Sequence, residues 1–364
     1  MLAYTGIMAQ ILILEPYFTG SHADWLRGYQ RYSRHEVVAL TMPGHFWQWR
    51  MMGGAITLAR EFMAADLHPD MIVATDMLDL TTFLALTRTR TAGIPSAFYF
   101  HENQLTYPRQ KPKKEPGFIN FVSALAADHV FFNSPFHMNN FFDALPRLLK
   151  NYGDFNELDS IERLRAKSDV LPLGVDLRRF DPFRAACDDP PLIVWNHRWE
   201  PDKNPDAFFG ALYRLQEDGL DFRVALLGQN FRQEPTEFEA ARERLGERVI
   251  HYGYAEDFAA YARLLWSAQV VVSTAYHDFF GVSVTEAIAC GCFPLLVNRL
   301  NYPNLIPEEF HAATLFPKGG LYFALRDYLL HRPPTPPELA EHVAQFDWMY
   351  LAPRYDAIFT EMAG

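Results

Sequence analysis

Two pairs of charged residues in the C-terminal half have the types and spacing to bind an anionic, hydroxyl-rich ligand. "NHRWEPDKNPDAF" sets Arg198 and Lys203 on either side of a Pro-Asp turn that leads into a helical run. Two cations beside a helix N-terminus suit a diphosphate, because charge-assisted hydrogen bonds and the helix dipole act on the same anion. The alternative is a solvated turn with surface charges. "HDFFGVSVTEAIACGCFP" then carries Asp278 and Glu286 on either side of the step Phe280-Gly281. Gly281 can cap a helix in which Glu286 lies roughly a turn and a half from the cap. A carboxylate there can accept from the paired hydroxyls of a ribose, and the loop acid before the helix from a second sugar. Gly228 in "LLGQNF" permits a close backbone approach to a ligand. "HYGY", which ends on Tyr254, repeats that arrangement one strand later.

The N-terminal half offers a second set. In "EPYFTGSHADW", Gly20, Ser21 and His22 open a helical run; helix-terminal N–H groups there hold an anion or a sugar hydroxyl, or simply form a cap turn. "FHENQLTYP" brings His101, Glu102, Asn103 and Gln104 to the end of a strand. His101 reads either as a donor to a substrate hydroxyl or as a satisfied structural group. "YPRQKPKK" follows with Arg109, Lys111, Lys113 and Lys114 between prolines, an exposed arm for phosphates or a solvated charge run. Arg27, Arg31 and Arg34 are placed on a helix in the same half. "HFWQWRMM" (45–52) has three readings: a membrane-facing patch, a stacking platform for bases, or helix core.

These residues need strands to carry them. Apolar runs at 10–14, 36–40, 71–75, 96–100, 129–133 and 169–173 predict one set. Runs at 192–196, 223–227, 249–253, 269–273 and 293–297 predict another. Most are continuous rather than alternating, as parallel strands covered on both faces require. Amphipathic stretches such as 23–33 and 257–268 fall between them. The βαβα order predicts an α/β protein of two doubly wound, Rossmann-like parallel-sheet domains, whose ligands lie outside the carboxyl ends of the strands. The charge- and Pro-rich stretch 176–191 reads as the linker. The expected domains are 1–180 and 189–345, the second holding the candidate diphosphate and hydroxyl contacts. A final helix at 346–364 is expected to pack back on the first. No GxGxxG is present, so a nicotinamide dinucleotide site lacks its usual support.

Of the 364 residues, 49% are hydrophobic and 15% aromatic, enough for two substantial cores. No apolar run is long enough for a membrane span. The start lacks a basic n-region, and Met8 offers an alternative initiation site. Three cysteines, Cys187, Cys290 and Cys292, form neither a disulfide framework nor a zinc pattern, and a reducing cytoplasm fits. The net charge of −11 argues against general nucleic-acid affinity. Its distribution is uneven: residues 1–150 hold 13 Lys/Arg against 12 Asp/Glu, the remainder 20 against 32. A polyanionic partner is expected on the N-terminal half.

Taken together, the motifs carry a resemblance. Arg198 and Lys203 resemble the R-x4-K of family-4-type GT-B glycosyltransferases. Asp278-x7-Glu286 resembles their E-x7-E, and "TEAIACGCFPL" their "LEAMACG-P" run. "ILILEPYFTGSH", "LTMPGHFWQWRMMGGA", "FHENQLTYP" and "VFFNSPFHMNNF" resemble the tRNA-queuosine α-mannosyltransferases, over about residues 10–310. The resemblance implies two domains facing each other across a cleft, a GDP-mannose donor, and the cyclopentenediol of queuosine in tRNA-Asp as acceptor. It implies retention of configuration without a metal or other cofactor, the leaving diphosphate being neutralised by Arg198, Lys203 and backbone donors. His101 would meet the hexose, and domain closure would exclude water. Asp278 departs from the family's Glu and leaves the hexose open. Other readings are a GT-B enzyme acting on a lipid or glycan, and a sugar-nucleotide- or RNA-binding module without turnover.

Overall fold

The computed structural model describes residues 8–107, 114–228 and 236–364. The chain divides into two compact units. One comprises Met1–Asp176 with Trp348–Gly364, the other Leu177–Asp347.

The first unit is built on β1 (Gln10–Phe18), β2 (Glu36–Pro43), β3 (Met71–Thr75), β4 (Ser96–Phe100), β5 (His129–Phe132) and β6 (Ser168–Val170). They pair in the order β2-β1-β3-β4-β5-β6, every pair parallel. β3 and β4 are buried along their whole length, which is why they read as unbroken apolar runs. Phe100 and Phe132 stack across β4 and β5 at 4.6 Å. The order reverses between β1 and β3, so the crevice of this unit opens where β1, β3 and β4 end.

The second unit contains β7 (Leu192–Asn196), β8 (Arg223–Leu227), β9 (Val249–Gly253), β10 (Val270–Ser273), β11 (Phe293–Val297) and β12 (Leu315–Phe316). Its order is β12-β11-β10-β7-β8-β9, again all parallel. The reversal lies between β7 and β10, the strands that lead into Arg198 and Asp278. The two-residue β12 is too short to show a sequence pattern. β6 ends earlier than its apolar run, before Pro172, which has no N–H to give a ladder.

The C-terminal helix Trp348–Ala363 belongs to the first unit. It continues unbroken through Pro353. Its Trp348 ring lies between two glycines: a Cβ on Gly28 or Gly174 would come within 1.9 or 2.4 Å of the indole. Tyr29 donates to Asp356 at 2.9 Å and Trp25 to the Tyr355 hydroxyl at 3.2 Å. Trp348→Ala empties this slot and is expected to cost about 3–5 kcal/mol. Denaturant titration checks it; a wild-type midpoint would show that the helix is not structurally required.

Candidate active site

In the second unit, the carboxyl ends of β7 and β10 gather the expected donor residues. Arg198 follows β7, is half exposed, and has Glu200 at 3.4 Å. Lys203 is buried. Its ammonium donates to the His277 carbonyl at 2.5 Å and pairs with Asp202 at 3.1 Å. Burial pushes the Asp202 carboxyl up, but the Lys203 charge and hydrogen bond outweigh that and hold it below its usual value. Lys203 therefore fixes the loop that carries Asp278, whereas Arg198 keeps its head near solvent.

Asp278 accepts from the Phe280 N–H at 3.3 Å and from the Tyr302 hydroxyl at 3.2 Å; that hydroxyl also meets Ser273 at 2.6 Å. Gly281 has φ +101°, and a Cβ there would approach Leu305 to 2.9 Å, so only glycine fits comfortably ahead of the helix Val282–Ala289. The Phe280 side chain is buried edge-on against Phe346. Its expected donor contact is thus restricted to its backbone. Glu286 accepts from Arg179 at 2.9 Å and from the Tyr261 hydroxyl at 2.7 Å. Gly228 has φ +121°, with the His197 carbonyl so close that a Cβ would lie 2.0 Å from it. Tyr254 is exposed just past β9. The Asn196 Oδ1 and His197 Nε2 atoms are buried without hydrogen-bond partners at the end of β7. Burial and the Lys203 charge bring His197 down to about 4, so it is neutral.

In the first unit the ends of β1, β3 and β4 converge. His22 Nδ1 lies 3.0 Å from Glu15 Oε2, and its ring 4.2 Å from that of His101. The His101 ring also meets Trp25 and Tyr99 edge-on. Asp76 Oδ1 accepts from the His101 N–H at 2.8 Å, while Asp76 Oδ2 and both His101 ring nitrogens are buried without partners. Burial pushes the Asp76 carboxyl well up, and burial with the His22 charge pushes His101 well down. Glu102 and Gln104 bond each other at 2.5 Å. Asn103 Oδ1 accepts from Leu105 N, Thr106 N and Thr106 Oγ1, so its carbonyl holds the loop. Gly20 and Ser21 are exposed at the helix start, with Thr19 as the cap. Lys114 is exposed; Arg109, Lys111 and Lys113 lie outside the described residues. Arg31 pairs with Asp176, and Arg34, beyond the end of its helix, with Asp356. Those two are less available to an RNA than the sequence implied. "HFWQWRMM" divides: Met51 is core, whereas Phe46, Trp49 and Met52 are exposed.

Glu15, His22 and His101 bring donor atoms within 4.8 Å of one another, close enough for a metal ion. A proton competes for the same place. Burial opposes charge on His22, but the Glu15 charge and hydrogen bond prevail and raise it to about 9. Its folded value lies above its usual one. The stabilisation is therefore complete below about pH 6.5 and is lost as pH rises through about 9. Glu15→Gln is expected to flatten the stability profile across that window, read by denaturation near each end. An unchanged profile would dissolve the pair.

Sequence reasoning missed Asp76, Arg179, Asn196, His197 and Tyr302. Arg179 was hidden in the presumed linker. Asn196, His197 and Asp76 carried the one signal available, their position at strand ends.

Two doubly wound parallel sheets with polar groups at their switch points have the architecture of the GT-B glycosyltransferases, and the match of the second unit to a glycosyltransferase family model places the chain in that class. The fold is shared with the catalytic domain of starch synthase IV from Arabidopsis thaliana (TM-score 0.73, 12% identity, 98% of this chain and 100% of that one). It is shared also with sucrose-phosphate synthase from Thermosynechococcus elongatus (TM-score 0.70, 15% identity, 97% and 98%). Residues 178–328 match the family model for glycosyl transferases group 1, and residues 10–175 that for the tRNA-queuosine alpha-mannosyltransferase N-terminal region. The chain is 35% identical over 313 residues to the tRNA-queuosine alpha-mannosyltransferase of Drosophila melanogaster, covering 82% of each. It belongs to the tRNA-queuosine alpha-mannosyltransferase family. A GDP-mannose-dependent alpha-(1-6)-phosphatidylinositol dimannoside mannosyltransferase of Mycobacterium tuberculosis is 27% identical over 285 residues, 73% of this chain and 67% of that protein. Among the described residues no helix is long and apolar enough to cross a membrane.

Proposed function

We propose that this glycosyltransferase moves mannose from GDP-mannose to the cyclopentenediol of queuosine in the anticodon of tRNA-Asp, with retention of configuration. The observation that carries the reading is the match of residues 10–175 to the N-terminal model of that family, since this is the unit assigned to the acceptor. The donor is supported by the names of both relatives, which are mannosyltransferases, one GDP-mannose-dependent.

In this reading Arg198 and the N–H groups at the start of Val282–Ala289 meet the diphosphate. The developing charge of the leaving group is stabilised there without a metal. Lys203 sets the loop, Glu286 accepts from the ribose hydroxyls, and Asp278 serves the hexose. The bond from the anomeric carbon to the diphosphate oxygen breaks as the acceptor oxygen bonds that carbon from the same face. The acceptor proton passes to a phosphate oxygen. His101, neutral and unpartnered, offers a hydrogen bond to the hexose. Arg198→Ala is expected to weaken GDP about 10- to 100-fold with the fold intact, at roughly 1.5–3 kcal/mol per charge-assisted bond. Calorimetry showing wild-type affinity would remove Arg198 from the site.

A lipid acceptor is the second reading, favoured by the mycobacterial relative's named substrate and by exposed Phe46, Trp49 and Met52. A salt series separates them. If four phosphates are met by Arg109, Lys111, Lys113 and Lys114, log affinity for tRNA falls against log salt with a slope of roughly −3. Neutralising the four flattens it and leaves GDP binding unchanged. A flat wild-type response, or equal transfer to a lipid, supports the second reading. In cells, loss of the protein should remove mannosyl-queuosine from hydrolysed tRNA, read by mass spectrometry.

A further inference from the structure

The chain enters the second unit through a 3-10 segment, Leu177–Phe183, held on either side of Arg179. At its start the Leu177 and Arg178 N–H groups donate to the buried Asp347 carboxylate at 2.9 and 3.2 Å. At its middle Phe180 is buried edge-on against Phe258, and its carbonyl accepts from the Trp266 indole at 2.9 Å. Arg179 lies between these anchors. Its guanidinium sits 4.5 Å over the Phe258 ring and reaches Glu286 Oε1 at 2.9 Å. The other carboxylate oxygen accepts from Tyr261, whose hydroxyl takes a longer bond, 3.3 Å, from Asn196. Burial, and then the Glu286 charge, push the Tyr261 phenol well up, so it stays a donor. Arg179 thus donates to one oxygen of Glu286 and Tyr261 to the other.

We propose that Arg179 is a positioning residue for nucleotide recognition, acting through Glu286 by fixing the direction in which that carboxylate faces a ribose diol. Phe258 holds the guanidinium flat and Tyr261 completes the clamp. The inference rests on the reading of Glu286 as the acceptor of the ribose hydroxyls. It makes the segment Leu177–Phe183 part of donor specificity.

A chemical cycle tests it. GDP and 2′,3′-dideoxy-GDP are titrated calorimetrically into wild type, Arg179→Ala, Arg179→Lys, Tyr261→Phe and Glu286→Gln. Wild type should lose about 10- to 100-fold on removal of the two hydroxyls. Arg179→Ala should weaken GDP about 10-fold yet bind the dideoxy nucleotide as wild type does, so that the hydroxyl preference shrinks. Arg179→Lys should restore part of the preference. Tyr261→Phe, which keeps the ring, should show a smaller loss of the same kind and guards against a misfolded Arg179→Ala. Equal weakening of both nucleotides by Arg179→Ala, with the preference abolished in Glu286→Gln, overturns the positioning role and leaves the ribose reading standing. A full hydroxyl preference in Glu286→Gln defeats the ribose reading itself.

Discussion

Lys203→Met is expected to abolish measurable GDP binding and to lower the stability of its unit by about 3–5 kcal/mol, the scale for breaking a buried ion pair. Lys203 is 7% exposed and holds two things at once, the Asp202 carboxylate and the His277 carbonyl. Methionine fills the space but leaves the half-buried Asp202 without its nearest cation and frees the loop that leads to Asp278. The effect depends on pH. Because Lys203 holds Asp202 below its usual value, the pair's stabilisation is present above the ordinary carboxylate range, about pH 4, and disappears as pH falls through the depressed value. Wild type and Lys203→Met should therefore converge in acid. Denaturation of both at neutral and acid pH, with GDP titrations alongside, is the check. A constant gap between them would mean that Asp202 gains nothing from Lys203.

Gly228→Ala should be nearly as damaging, at about 3 kcal/mol or more, with loss of donor binding. Two penalties coincide: φ is +121°, and the new Cβ would lie 2.0 Å from the His197 carbonyl oxygen. Relief requires β7 and β8 to part at their carboxyl ends, which moves Arg198. Gly210, in the helix Pro205–Glu217, is the control: a Cβ there meets nothing within 4 Å, and φ is not positive. Gly210→Ala should be neutral or stabilise by up to about 1 kcal/mol. Similar losses at both positions would show that the close approach at Gly228 is not what matters.

The strands were legible because buried parallel strands leave continuous apolar runs, and β3, β4 and β7 are buried throughout. Position at a strand end pointed to Arg198, Gly228 and His101. What the sequence could not show was partnership. Lys203 reads like Arg198 as a free cation, yet one is buried under a loop and the other half exposed. Phe280 reads as a ligand contact but packs on Phe346, 66 residues away in sequence. Arg179 sits among charges that look like linker and meets Glu286 only because the segment folds back on Phe258. Asp76 lies after a strand with no motif around it, and its burial follows from sheet order, which no local pattern encodes.

Mannosyl transfer to queuosine tRNA is measured directly in a reconstituted reaction. Purified protein is incubated with GDP-mannose and with tRNA-Asp that either carries queuosine or lacks it. The tRNA is digested and its nucleosides are weighed by mass spectrometry. One added hexose on queuosine is expected in the first case, none in the second, and none from Arg198→Ala protein within the same time. Hexose transfer that ignores queuosine, or GDP-mannose consumed only with a lipid acceptor, would contradict that expectation.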